Sequence, residues 1–535
     1  MELKRTILAV ALSMAVLLVF QHYLAPKPRV PAQGSEVSGV SREAPGTPAE
    51  AGPPEGAPGA AQPPLAAPTP TAVPVTRDTI ENDHVVVEIS SRGAAVVGAL
   101  VKTYTDRAGP DGSPVRLLDA PSGIDRVGEV RLTSIPEAPA ALFERIEHGP
   151  DRAVYAWTSP TGIRIEKHYR LSPGRYDATL TVRIVNGAGQ PFRDRAALVM
   201  VEDFSGKQDR FSRYNFSGPV YFADGKYEEV KLKKLAEGVQ VSSVEWAALL
   251  HHYFLVAAVP EGQTGAAFDA RAFGGQEKAA MVSLVSPVFD LAPGQDVQLT
   301  YRVYLGPKLE SALAQVGSDL DKLVNYGFFH VIAKPLLAFL NAIYRVTGNY
   351  GIAIIVLTTL IKAIFWPLSA KSFKSMQRMK EIQPKLQKLR ERYGNDRERL
   401  NMEVMQLYKT HKVNPLGGCL PMIVQIPFFF ALYRILLGSI ELRQAPFMLW
   451  ITDLSAKDPY YVTPLLMGAT MFLQQRLTPA SAGNEAQMKM MMYGMPIVFT
   501  VLFLNFPAGL VLYWLVNNVL SVAQQAMTLK RAKPA

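Results

Sequence analysis

Residues 352–368 read IAIIVLTTLIKAIFWPL, an apolar run that approaches the length of a membrane crossing and contains a single charge, Lys362. A lone ammonium at bilayer depth costs about 2.5 kcal/mol or more. An intramembrane lysine therefore indicates a functional role rather than a role in packing. Two interpretations stay open. Lys362 lies five residues before Pro367, about 7 Å along a helix, so its long side chain can snorkel to the interface. Alternatively, it lines a wet cavity.

Polar side chains recur in other apolar runs, which supports the wet cavity. Thr358 lies one helical turn before Lys362, Gln425 lies within a second run, and Asn517 and Asn518 interrupt the last one. Such groups in hydrocarbon usually face the bundle interior or water. Each also fits a hydrogen bond between helices, so the pattern leaves both roles open.

Apolar runs in the carboxyl-terminal half predict five membrane spans, at residues 350–368, 416–437, 460–473, 490–506 and 508–522. Residues 328–344 are also apolar, but His330, Lys334 and Pro335 interrupt them, which indicates an interfacial helix. A sixth span is expected at residues 6–20, as an uncleaved amino-terminal anchor rather than a cleaved signal. Arg434, near the outer end of its span, is expected to snorkel outward.

Composition divides the rest of the chain. The 535 residues are 48% hydrophobic with a mean hydropathy of +0.08, which indicates a mixture of spans and a soluble domain. Residues 25–75 are dominated by Pro, Ala and Gly and predict a disordered linker. Residues 76–306 alternate apolar and polar side chains, as in residues 163–168 and 180–185, which is typical of an antiparallel sandwich or barrel.

The loop at residues 371–412 carries twelve basic and five acidic side chains. This excess predicts a cytoplasmic location, with both termini inside and the β domain outside. Apolar residues at spacings of three and four predict two helices in a hairpin, the first kinked at Pro384 and ended by Gly394. Asn395 and Glu398 resemble a capping box for the second. Three roles are compatible with the basic face of the hairpin: contact with solvent, binding to anionic lipid, and binding to an RNA-rich or acidic partner. The sequence does not distinguish between them.

Motifs for catalysis are absent from the sequence, including the P-loop, the zincin, the nucleophile-elbow and the C-x-x-C patterns. We therefore expect no enzyme activity, cofactor or metal ion. His251 and His252 are adjacent in a strand-like segment, so they point to opposite faces and make a poor metal pair. Although the net charge is +10, the basic residues cluster beside apolar runs, which argues against direct DNA binding. The single cysteine, Cys419, excludes an intrachain disulfide.

Three segments closely resemble the YidC membrane-protein insertases. They are residues 412–459, with the motifs NPLGGC and LRQAPF, the QPK run at residues 383–385, and FPAGLVLY at residues 506–513. The match extends over the anchor, the outer domain and all later spans. It implies the Gram-negative bacterial type, a mixed membrane protein with six transmembrane α-helices, a large extracytoplasmic all-β domain (a β-super-sandwich) and a cytoplasmic helical hairpin.

The resemblance gives a division of the chain into seven parts. These are the transmembrane anchor (1–24), the linker (25–75), the periplasmic β-sandwich domain (76–306), periplasmic and interfacial helices (307–349), the second transmembrane segment (350–370), the cytoplasmic basic hairpin (371–412) and transmembrane segments three to six (413–535).

The resemblance also implies a function without catalysis. A hydrophilic groove, open to the cytoplasm and to lipid, receives a polar part of a nascent membrane protein and releases its helices laterally into the inner membrane. Burial of about 20 apolar residues drives this without ATP. The implied partners are nascent membrane proteins, the Sec translocon, the ribosome or a targeting receptor, and membrane lipids. The implied groove residues are Lys362, Thr358, Gln425, Ile426, Phe429 and Trp514, and the hairpin contacts are Arg378, Lys385, Lys388 and Arg392.

Two other functions compete with insertion. A transporter or channel would use Lys362 as an anion site, although such proteins typically contain inverted repeats and this sequence shows no internal repeat. Alternatively, the β domain is a sugar-binding module and the spans are its scaffold. That interpretation predicts that deletion of residues 76–306 abolishes function.

Overall fold

The computed structural model describes residues 74–118, 125–205, 216–262, 264–274, 276–393, 396–411, 413, 420–477 and 490–532. The predicted anchor, all but the last two residues of the predicted linker, and the NPLGGC motif with Cys419 lie outside these residues.

Twenty strands lie within the described part of residues 77–307. They are β1 Arg77–Glu81, β2 Val85–Ser90, β3 Ala95–Thr105, β4 Pro114–Leu118, β5 Arg126–Leu132, β6 Glu144–His148, β7 Arg152–Thr158, β8 Ile163–Leu171, β9 Asp177–Asn186, β10 Phe192–Asp194, β11 Ala196–Asp203, β12 Gly218–Ala223, β13 Lys226–Glu229, β14 Val239–Val241, β15 Trp246–Leu250, β16 Phe254–Glu261, β17 Ala267–Phe273, β18 Gln276–Val285, β19 Phe289–Leu291 and β20 Asp296–Pro307.

The strands form two nine-stranded antiparallel sheets within the described residues. The first has the order β1-β2-β3-β5-β11-β18-β17-β14, with β4 paired to β3, and the second has the order β13-β12-β15-β16-β20-β9-β8-β7-β6. A separate pair joins β10 and β19. Apolar residues from both sheets contribute to one buried cluster. The all-β prediction for this part of the chain is confirmed.

The alternation in β8 shows how the sequence forms this core. Ile163, Ile165, Tyr169 and Leu171 are buried, and the even-numbered residues 164–170 face outward. Lys167 lies on the buried face with no exposed surface. Its ammonium donates hydrogen bonds to the carbonyl oxygens of residue 93 at 2.6 Å, residue 94 at 3.1 Å and residue 128 at 2.6 Å. Lys167 therefore links the second sheet to the first.

Nine α-helices follow in the described part of the chain. They are α1 Glu310–Val316, α2 His330–Thr347, α3 Tyr350–Ile364, α4 Trp366–Tyr393, α5 Arg397–Thr410, α6 Leu420–Gly438, α7 Val462–Leu477, α8 Met495–Phe503 and α9 Ala508–Ala532. Three short 3-10 helices, Leu320–Leu323, Gly327–Phe329 and Ile440–Leu442, and a π-helical turn at Met490–Gly494 accompany them.

Among the described residues, one helical segment, Gly327–Thr347, is long and apolar enough to cross a membrane alone. It contains α2, which the sequence predicted to be interfacial. The pair Tyr350–Ile364 and Trp366–Met379 passes the same test only together, and it is bent by 63°. Shorter apolar helices lie at Ile423–Gly438 and Met492–Phe503. The six spans therefore stay a prediction.

The bend between α3 and α4 falls inside the run that was expected to be one continuous span. Pro367 has no amide hydrogen to donate to the carbonyl of Ala363, and its ring clashes with that turn. The helix therefore ends at Ile364 and restarts at Trp366. The second helix then continues through Pro384 to Tyr393, so it includes the first arm of the predicted hairpin.

α4 and α5 pack against each other, and Ile382 and Leu386 are buried. The cap of the second arm, predicted at Asn395, was wrong by one residue. The helix is capped by Asp396, whose side chain accepts a hydrogen bond from the amide of Arg399 at 3.0 Å. The cytoplasmic location of these helices stays a prediction.

Candidate functional site

The helix α3 positions Thr358 and Lys362 one turn apart on one face. Its amino terminus is capped by Asn349, whose side chain accepts a hydrogen bond from the Ile352 amide at 3.1 Å. Thr358 is 1% exposed, and its hydroxyl donates to the carbonyl of Ile354 at 2.6 Å. Thr358 therefore lies in the packing between helices, and its hydrogen bond stays within its own helix.

Lys362 is directed toward α9. Its ammonium donates to the hydroxyl of Ser521 at 2.8 Å, and that hydroxyl donates to the carbonyl of Asn517 at 2.6 Å. The side chain is half-buried, and it forms no ion pair with any described residue. The charge is thus held by neutral groups of a neighbouring helix.

Gln425 joins the same network from α6. Its amide nitrogen donates to the side-chain oxygen of Asn517 at 2.9 Å. The polar groups of Lys362, Ser521, Asn517 and Gln425 therefore connect three helices that are otherwise largely apolar. Such a network can present both a positive charge and amide groups to a polar chain.

Further polar residues continue along α9. Asn518, Ser521, Gln524 and Gln525 are buried, at spacings of three and four that place them on one side of the helix. Gln524 donates to the carbonyl of Trp366 at 3.2 Å, next to the bend. Asn518 is 3% exposed, and its amide nitrogen has no hydrogen-bond partner among the described residues.

Aromatic side chains lie beside the network. The rings of Phe429 and Trp514 meet edge to face with centroids 4.9 Å apart, and Trp514 also contacts Phe503 at 4.9 Å. Ile426, Phe429 and Trp514 are half-buried. The structure thus brings Lys362 and Gln425 into one network and pairs Phe429 with Trp514, whereas Ile426 adds only an apolar side chain.

The hairpin residues form a separate surface. Arg378, Lys385, Lys388 and Arg392 are all exposed on α4. Lys385 lies 3.2 Å from a ring nitrogen of His411, and the guanidinium of Arg392 lies over the ring of Tyr393. All four cations are therefore accessible from solvent.

Arg434 lines a polar cavity of about 30 Å³ together with Lys308, Glu310 and Glu441. Its outward snorkelling stays a prediction. Burial lowers the pKa of Lys308 to about 8, and burial raises the pKa of Glu441. The cavity lies at the end of α6 that adjoins the β domain.

The histidine pair has two structural roles. His251 bonds to the buried carboxyl of Glu202, and His252 lies 2.7 Å from the carbonyl of Leu437 at the end of α6. The two rings thus point to different partners, as expected from adjacent positions. Among the described residues, no group of three or more His, Cys, Asp or Glu side chains could hold a metal ion.

Comparison with known proteins matches both halves of the chain to one family. The model of the YidC periplasmic domain matches residues 77–339, and that of the 60Kd inner membrane protein matches residues 342–535. A membrane protein insertase YidC from Geobacter sulfurreducens is 44% identical over 448 residues, which cover 82% of this chain and 83% of the relative. The one from Geobacter metallireducens is 40% identical over 544 residues, covering 98% and 97%.

The chain belongs to the YidC insertase family. A solved structure of an active YidC insertase with the first transmembrane domain resolved is 16% identical, with a TM-score of 0.37, and the match covers 86% of this chain and 94% of that one. These relatives are named membrane protein insertases, and the name does not specify a chemical reaction. The β region matches the YidC periplasmic domain, and the helices from residue 342 onward match the inner membrane protein.

Sequence reasoning missed one residue of this polar network, Ser521. The signal was present, because Asn517, Ser521 and Gln524 recur at spacings of four and three within an otherwise apolar helix. The pattern identifies a polar stripe. It does not identify Lys362, 159 positions away, as its partner.

Proposed function

We propose that the chain is an insertase and chaperone for membrane proteins of the bacterial inner membrane. It receives a polar segment of a nascent membrane protein at the network of Lys362, Ser521, Asn517 and Gln425, and it releases the transmembrane helix laterally into lipid. The family membership supports the activity. The network across three helices is the observation that carries the site.

The electrostatics of the network suit transient contact. A charge at bilayer depth costs about 2.5–3.5 kcal/mol, and one hydrogen bond to Ser521 offsets only part of that cost. An acidic residue in a passing tail would lower the free energy of Lys362 further while bound. Once the apolar helix enters lipid, its burial drives release, so no nucleotide is required.

We further propose a topology and partners for this activity. Both termini and the hairpin lie in the cytoplasm, and the β domain lies in the periplasm. Arg378, Lys385, Lys388 and Arg392 contact the ribosome or a targeting receptor, and the chain works alone or with the Sec translocon. The transporter alternative is not favoured, since the relatives are named insertases.

Substitution of Lys362 tests the proposal. Lys362→Ala should lower insertion of a small reporter with an acidic tail about tenfold, because the attraction is lost, whereas Lys362→Arg should keep it. The assay is insertion into proteoliposomes at equal protein level, with a reporter that has a neutral tail for comparison. Lys334→Ala, which removes a lysine paired with Glu310, is the control.

Equal insertion of the acidic reporter by wild type and Lys362→Ala would rule out a role for the charge. Photo-crosslinking of a stalled nascent chain from positions 358, 362, 425, 514 and 521 then maps the path. We expect strong crosslinks at 362, 425 and 514 and weak ones at the buried position 358.

A further inference from the structure

The loop between α6 and α7 contains the LRQAPF motif, which the proposed function does not use. We infer that residues 439–461, here called the bracket, hold the amino-terminal ends of α3 and α9 and fasten the β domain to them, with Arg443 and Gln444 as positioning residues. Its bearing on insertion rests on the function proposed above, because α3 and α9 carry Lys362 and Ser521.

Arg443 and Gln444 connect the bracket to the β domain at Thr105, where β3 ends, and at Phe254. The guanidinium of Arg443 donates to the Thr105 carbonyl at 2.6 Å, and the Gln444 amide nitrogen donates to the same oxygen at 2.8 Å. The Thr105 hydroxyl donates in return to the Gln444 side-chain oxygen at 2.9 Å. The Arg443 guanidinium also lies 5.5 Å above the ring of Phe254 in β16. Three hydrogen bonds and a cation–π contact thus converge on this point.

Phe447 and Asn349 connect the bracket to α3. The Asn349 side chain donates to the Phe447 carbonyl at 2.7 Å while its oxygen caps α3. The ring of Phe447 lies against Gly351, where an added Cβ would come within 1.9 Å of it. Only glycine allows this approach, so the start of α3 and the bracket fit together closely.

Backbone groups connect the bracket to α9. The amides of Ala508 and Gly509 donate to the carbonyls of Ala456 at 2.7 Å and Leu454 at 2.9 Å. The first amides of a helix have no acceptor within the helix, so the carbonyls of the bracket serve as acceptors for the first amides of α9. The Leu454 amide in turn donates to the Ala445 carbonyl at 3.0 Å, which joins the two halves of the bracket.

The conformation of Gln444 braces the bracket internally. Its φ of +57° is uncommon for a residue other than glycine, and it is held by a hydrogen bond from the Gln444 amide to the Asp453 carboxylate at 3.0 Å. The same carboxylate oxygen accepts from the amide and hydroxyl of Ser455. Because of these bonds, a displacement at Thr105 is transmitted to residues 454–456 and so to α9.

Hydrogen exchange of the full chain, reconstituted in lipid, tests the bracket. The double variant Arg443→Ala, Gln444→Leu should speed exchange about tenfold in residues 102–116, and also in the distant residues 506–512 at the start of α9. Arg443→Lys keeps a donor for the Thr105 carbonyl and should stay near wild type. Arg345→Ala, an exposed arginine on α2, is the control. Faster exchange confined to residues 102–116 and the bracket itself would overturn the inference.

A second variant disturbs the contact between the bracket and α3. It provides the test if the double variant does not fold. Gly351→Ala pushes on Phe447 and should speed exchange in residues 102–116 of the β domain, while Ile352→Ala on the exposed side of α3 should not. A change limited to α3 would contradict the bracket. Exchange is measured without substrate, so this result is separate from insertion by Lys362→Ala, which tests the proposed function.

Discussion

Lys167 and Lys362 differ in how many hydrogen-bond acceptors the protein provides for the ammonium group. Lys167 has three donors and three carbonyl acceptors, so it is satisfied within the protein. Lys362 has the same three donors and one acceptor among the described residues, the hydroxyl of Ser521. Lys167 is therefore structural. Lys362 is half-buried, and we propose that an acidic residue of a passing chain supplies a further acceptor.

Burial of Lys167 makes the stability of the β domain depend on pH. Burial lowers the pKa of Lys167 to about 7 in the folded protein, from about 10.4 in an unfolded chain. Between these values the unfolded state binds more protons, so the free energy of unfolding should rise with pH from about 7 to about 10, by at most about 1.4 kcal/mol per unit. Urea unfolding, followed by the fluorescence of Trp157 and Trp246, measures it.

Lys167→Met is the matched variant for this prediction. It should lower the free energy of unfolding by roughly 3 kcal/mol at pH 7, because the three carbonyl oxygens lose their donor while the volume is kept. Its stability should also lose the rise between pH 7 and pH 10. A rise of equal slope in both proteins would assign the pH dependence to another group.

Sequence alone places Lys167 on the inward face of its strand, but it does not supply the acceptors. Those carbonyls belong to residues 93, 94 and 128, in segments far away in the chain. The same limit applies to Lys362 and Ser521. Periodicity finds the face of a strand or helix, whereas the partner depends on how elements pack, and no local pattern encodes that.

At the scale of the element, the helix that carries Lys362 is shorter than its apolar run. Pro367 breaks the run, and the hydropathy of residues 352–368 did not reveal this, because hydropathy does not register a missing amide. The bend begins two residues after Lys362, and the carbonyl of Trp366 accepts from Gln524, so polar groups gather where the helix breaks.

The start of α5 gives a second prediction at this scale. Asp396→Ala removes the side-chain acceptor for the Arg399 amide and should destabilise the first turn by about 1 kcal/mol. Hydrogen exchange in residues 397–401 should then be about fivefold faster. Asn395→Ala is the neighbouring control and should leave exchange unchanged. If Asn395→Ala sped exchange and Asp396→Ala did not, the cap would be Asn395, as the sequence predicted.

At the scale of the whole molecule, the position of α2 decides the topology. This helix joins the β domain to α3, and the run at residues 352–368 leads to the basic hairpin. If both α2 and that run crossed the membrane, the β domain and the hairpin would lie on the same side, against the charge distribution. Lys334 in α2 also pairs with Glu310 of α1 at 2.6 Å. We therefore expect α2 to lie along the outer surface despite its length and apolarity.

Spin labels on α2 test this arrangement. Val331 and Val346 are 82% and 88% exposed and lie about 22 Å apart along the helix axis. In a Cys419→Ser background, nitroxides at these two positions should report the same shallow depth in the bilayer, because a surface helix keeps both ends near the headgroups. A depth difference of about 20 Å would mean that α2 crosses the membrane, and the β domain and the hairpin would then share one compartment.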